Sequence, residues 1–172
     1  MITGIKYFLL FLMILVLQVF VLDQAPEIMP YARPVLFFMF ILALPSMRAV
    51  WLMAIGFGGG LILDILYGTP GINAAACVLL AYLKVPLIRL IKKDEEENTI
   101  PDAHITYLGF GQYFFYLLLV SLLFHLVAGF LSVFSFVQAW QTLLRVGVNT
   151  VISAILIYIF EIIFFYRRAS KT

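Results

Sequence analysis

One cysteine, two histidines and little charge narrow the chemistry open to this chain. Cys77 stands alone in an apolar run, so no intrachain disulfide can form and a thiolate metal cluster is excluded. His104 and His125 lie a span's length apart, and no His-Glu-x-x-His occurs. Charged residues make up 12% of the 172, where soluble domains carry about a quarter. The basic ones are scattered instead of gathered on one face, which argues against nucleic acid as a partner. No nucleophile stands beside a base, and Asp64 has no second aspartate within an apolar run. Glycines 58 to 60 are followed by no Gly-Lys-Ser or Gly-Lys-Thr, so they do not form a nucleotide loop. The expectation is a protein that is not an enzyme and holds no metal or cofactor.

What fills the chain instead is hydrocarbon: 65% of residues are hydrophobic. A spanning helix needs about 20 mostly apolar residues, and six runs qualify, at about 5–22, 31–44, 49–66, 72–91, 107–131 and 141–165. The first is longer than a signal-peptide core and ends at no small-x-small cleavage site, so it reads as a span that stays. The second is short, with Arg33-Pro34 at its start and Pro45 at its end, and a re-entrant hairpin is the other form it could take. The most polar stretch, Lys92 to Asp102, is too short to enclose a core. The fold class expected is all-α, one integral membrane domain of six transmembrane helices.

Charge sets the orientation. With six spans and the amino end in the cytoplasm, the inner side receives Lys6, Arg48, Arg89, Lys92, Lys93, Arg167, Arg168 and Lys171, with Lys84 close by. The outer side receives only Arg33 and Arg145, as the positive-inside rule requires. Five spans would put one basic terminus on the wrong side. Both termini are therefore expected in the cytoplasm.

The polar residues inside the apolar runs fall on stripes. Gly56, Gly60 and Asp64 are four apart, so on a helix they make a seam that admits another backbone and ends in a carboxylate. Gly68-Thr69-Pro70-Gly71 has turn chemistry, and Thr69 or Asn73 can cap the next helix. The turn reads either as a tight hairpin or as a contact for a partner at the outer surface. Gln141, Arg145, Asn149 and Ser153 form a second stripe, with Glu161 two turns further on. Asp64 and Arg145 fall near the same boundary, where they could pair at lower cost than two lone membrane charges. Ser121, His125 and Gly129 share a face, with His125 read as a hydrogen-bonded core residue. Gln18 is expected to hydrogen-bond between helices, and Glu161 to lie within reach of Lys84 or Arg89. The face of Phe114, Phe115, Leu118 and Leu122 suits lipid or a partner equally.

Gln18 late in the first span, the short second span ending at Pro45, Gly56-Phe57-x-x-Gly60-Leu61-x-x-Asp64 and Gly68-Thr69-Pro70-x-x-Asn73 together resemble the rod-shape-determining MreD family. The match covers the whole chain in length and span order, and its specific part is confined to Gly56 to Asn73. One glycine follows Pro70 where Leu-Gly is frequent in the family. The resemblance implies a bacterial inner-membrane scaffold of the cell-elongation machinery for peptidoglycan synthesis. Its partners would be the bitopic protein MreC, the transpeptidase PBP2, the polymerase RodA and, indirectly, MreB. It also implies a fold similar to the substrate-binding subunits of energy-coupling-factor transporters. That kinship supplies a different reading, a vitamin-binding transporter subunit. Such subunits couple through small residues four apart in the first helix, and residues 5–22 contain no Gly, Ala or Ser.

Overall fold

A computed structural model describes residues 2–20, 22, 33–45, 47–92, 104–133 and 139–163. All regular structure among them is helical: α1 (Ile2–Phe20), α2 (Met39–Ala43), α3 (Ala49–Tyr67), α4 (Ile72–Ile91), α5 (Ile105–Leu108), α6 (Phe110–Val133) and α7 (Ala139–Glu161). Four helices, α3, α4, α6 and α7, are long and apolar enough to cross a membrane, and α1 is a shorter apolar helix over Gly4–Phe20. The acidic stretch from Lys93 to Asp102 and the basic tail with Arg167 and Arg168 lie outside the described residues.

The segment expected as the second span takes a different form. Residues 33–36 form no regular secondary structure, 37 and 38 turn, and only Met39–Ala43 coil into α2. The cause is local: the ring of Pro34 disfavours helical geometry at Arg33 and leaves Pro34 without an N–H, and Pro45 likewise forces Leu44 into an extended conformation, ψ 142°. The segment nonetheless runs antiparallel to α1. Pro34 lies against Gln18 in the last turns of α1, and Leu44, Pro45 and Met47 share a groove with Gly4 and Tyr7 at its start.

The core forms around this broken segment. Phe37, Phe38, Met39, Ile41, Leu42 and Leu44 are buried. Phe11 meets Phe37 and Phe40 edge-on at ring distances of 5.6 and 4.9 Å, and Phe38 lies 5.0 Å from Phe124 of α6. Such aromatic pairs add about 0.5–1.5 kcal/mol each beyond the area they bury. The outward faces of α1, α3 and α7 are apolar too, with Phe8, Phe20, Val50, Ile65, Leu144 and Ile159 exposed, as lipid-facing surface requires.

The glycine seam joins α3 to α4. A Cβ on Gly60 would stand 2.5 Å from Ala74 Cα, and one on Gly56 would stand 3.1 Å from the Cys77 carbonyl oxygen. The facing stripe of α4 is small in turn, Ala74, Cys77 and Ala81, so both backbones approach closely. Gly58, on the far side of α3, meets nothing within 4 Å. The two glycines therefore separate in experiment. Gly60→Ala is expected to cost about 1–3 kcal/mol from overpacking against backbone. Gly58→Ala should be neutral or add up to about 1 kcal/mol of helix propensity. Reversible unfolding in mixed micelles, monitored by far-UV circular dichroism, compares them; equal losses would contradict the close approach.

Candidate functional site at the polar end of the bundle

Most of the polar side chains within the helices gather at one end, where α1, α3 and α6 finish and α4 and α7 begin. The centre of this region is Asp64, buried in the last turn of α3. Gly68 closes that helix in the left-handed region, φ 64°, and the Thr69 amide donates back to the Asp64 carbonyl at 3.0 Å. Gly71, φ 80°, turns the chain into α4. Positive φ is open to glycine at no steric cost, which fixes both positions.

This turn carries the first amides of α4 back over the end of α3. Asp64 Oδ1 accepts from the Asn73 amide N–H at 2.9 Å, from Asn73 Nδ2 at 3.0 Å and from the Thr69 hydroxyl at 2.8 Å. Asp64 Oδ2 accepts from the Ala74 amide at 2.9 Å. Asn73 Nδ2 also reaches Thr69 Oγ1 at 3.1 Å. The carboxylate of one helix thus caps the next, where unpaired N–H groups and the positive end of the helix dipole both favour an anion. Neither Thr69 nor Asn73 is the cap acceptor that their types suggest; both donate to Asp64. Pro70 is exposed at the tip.

No direct Asp64–Arg145 ion pair, the contact expected from the two stripes, forms among the described residues. The Asp64 oxygens are engaged by their own hairpin, Arg145 is exposed, and the ion pair recorded among the described residues is His104–Glu161. The hairpin wins because its donors are a few residues away and already aimed at the carboxylate.

Gln18, Asn149 and Ser153 share one task, set by the irregular segment 33–36. Gln18 Oε1 accepts from the Leu36 amide at 2.7 Å while its Nε2 donates to the Pro34 carbonyl at 3.3 Å. Asn149 Oδ1 accepts from the Arg33 amide at 2.7 Å, and Ser153 Oγ from the Val35 amide at 2.9 Å. Beside them, His125 is buried, with Nδ1 2.8 Å from the carbonyl of Ser121 one turn back, and Ser121 Oγ donates to the Thr150 carbonyl at 3.1 Å. A carbonyl only accepts, so His125 Nδ1 carries a proton. Gln141 is exposed.

At the other end, two residues have partners that the sequence did not indicate. Lys84 is buried and donates to the Leu44 carbonyl at 2.6 Å and the Ile41 carbonyl at 3.3 Å, the open carbonyls at the C-terminal end of α2. Glu161 pairs with His104 at 3.0 Å. A lysine four residues from no acid gives no local signal of a carbonyl partner forty residues away. On α6, Phe115 and Leu122 are exposed, whereas Phe114 packs edge-on against Tyr158 at 5.4 Å and Leu118 packs on the core.

Two predictions follow from these bonds. Asp64→Ala strands the Asn73 and Ala74 amides and is expected to lower stability by about 1–3 kcal/mol for each buried donor left unmade. Arg145→Gln should change it by no more than about 0.5 kcal/mol, as for an ordinary surface residue. Exchanging the two as Asp64→Arg with Arg145→Asp should recover nothing; recovery in the double-mutant cycle would reinstate the pair. Separately, Gln18→Leu removes both partners of the Pro34–Leu36 backbone and should cost more than Gln141→Leu, whose side chain is exposed. Equal thermal denaturation midpoints in detergent would count against that cradle.

Compared with protein-family models, with curated proteins and with solved structures, this chain matches none.

Proposed function

We propose that this protein is a non-catalytic scaffold subunit of the bacterial cell-elongation machinery, seated in the inner membrane and binding MreC and the associated synthases. The observation that carries the reading is the hairpin over Gly56 to Asn73, the segment in which the resemblance to the MreD family is specific. Its glycines are spent on backbone approach and its one carboxylate on four donors. A carboxylate held that way is a fixed structural group, suited to shaping a rigid helical pair and not to transferring protons. The apolar outer faces of α1, α3 and α7 are then available to the helices of other membrane proteins.

The topology proposed has six passes, with the broken segment 33–45 as the second, shielded from lipid by its neighbours. Irregular backbone is tolerated at membrane depth only when protein or a water-filled cavity surrounds it. The described charges support an inward amino end: Lys6, Arg48, Arg89 and Lys92 belong to one end of the bundle and Arg33 and Arg145 to the other. Both termini are cytoplasmic in this arrangement.

The test is a clean deletion in a rod-shaped host with no second copy. Cells are expected to round, and affinity purification of the restored protein in mild detergent to recover MreC. Retained rod shape would remove the scaffold reading, and vitamin auxotrophy in its place would favour a transporter subunit.

A further inference from the structure

A cavity of about 410 Å³ opens at the polar end, between the last turns of α6, the first turns of α7, the start of α4 and the broken segment. That size is in the range of small-molecule sites, about 300–1,000 Å³. Val35, Ile72, Phe124, Ala128 and Val146 supply an apolar wall. Arg33 and Arg145, both exposed, supply the charge. Among the described residues, no Asp or Glu lines the cavity and neither guanidinium has an ion-pair partner. Asp64, the acidic group bonded to the lining residues Thr69 and Asn73, accepts four hydrogen bonds from its own hairpin. Thr142 adds a hydroxyl, and Asn149, whose Oδ1 is used by the Arg33 amide, keeps its amide N–H groups.

Two arginines lining one hollow with an apolar wall, with neutral donors beside them and no acid among the described lining residues, make a site for a doubly charged oxyanion carrying a hydrocarbon or ring. We propose that this cavity binds a phosphate-bearing ligand, its oxygens held by Arg33 and Arg145 and its apolar part lying along Phe124 and Val146. Guanidinium forks match phosphate oxygens, and such charge-assisted bonds are roughly twice as strong as neutral ones. Thr69 and Asn73 of the hairpin line the cavity, but Arg33 and Arg145, which hold the phosphate, lie outside the segment that carries the scaffold reading. The phosphate can come from a membrane lipid headgroup or from a soluble phosphate ester, which an experiment separates.

The full chain is reconstituted in phosphatidylcholine nanodiscs and titrated with inorganic pyrophosphate; in a second arm, phosphatidic acid replaces part of the lipid and native mass spectrometry counts what the protein retains. Binding in the first arm identifies a soluble source, and selective retention in the second, undisturbed by pyrophosphate, identifies a lipid. Arg33→Gln and Arg145→Gln are each expected to weaken binding about tenfold, with Arg145→Lys retaining part of it. Arg48→Gln, an exposed arginine at the opposite end, should bind as the native chain does. Circular dichroism checks that each variant is folded, as expected for exposed positions. Absence of binding in both arms, native binding by both cavity variants, or an equal loss in Arg48→Gln would overturn the proposal.

Discussion

A stretch of non-helical backbone running through an apolar bundle is the constraint on which the rest of this structure depends. Every unpaired N–H or C=O at that depth costs several kcal/mol, because no water competes for it. The segment from Arg33 to Leu36 cannot satisfy itself, since Pro34 and Pro45 confine helix to five residues between them. The protein answers with side chains from three other helices. Gln18 serves two groups, Asn149 and Ser153 one each, and Lys84 holds the carbonyls at the far end. Removing Gln18 or Lys84 would leave buried backbone groups unpaired, so the helices carrying them are tied to the segment as firmly as it is tied to them.

The other organising contact is the hairpin of α3 and α4. Glycine at 56 and 60 lets the backbones meet, and that approach puts the start of α4 within reach of Asp64. Packing and capping reinforce each other: a larger residue at 60 would push the amides of Asn73 and Ala74 away from the carboxylate, and loss of the carboxylate would leave those amides unmet. Two inexpensive residue types and one charge thus set a rigid corner, against which the broken segment and α7 define the polar cavity.

The distribution of polarity follows from the same physics. In lipid there is no hydrophobic force between helices, so close packing and internal hydrogen bonds must hold the bundle. Polar atoms therefore converge inward and toward the ends, while large apolar side chains such as Phe8, Ile65 and Ile159 face outward. Such an exterior is compatible with both lipid and partner helices.

Sequence alone determined the all-helical membrane character, the positions of α3, α4, α6 and α7, the glycine seam and the turn at Gly68–Gly71, because helix length, periodicity and turn chemistry are local properties. It also marked Gln18, Asn149, Ser153 and Asp64 as inward-facing, since a polar side chain inside an apolar run has nowhere else to go. What each of them bonds was decided by tertiary structure. Arg33 meets Asn149 across 116 positions and Val35 meets Ser153 across 118, and no local window carries such a pairing. The broken form of the second apolar run was decided the same way: its prolines exclude a long helix, but only the surrounding side chains make the alternative tolerable. Asp64 went to its own hairpin and not to Arg145 because backbone amides held a few ångströms away by the glycine seam are nearer and better aimed than an exposed arginine on another helix.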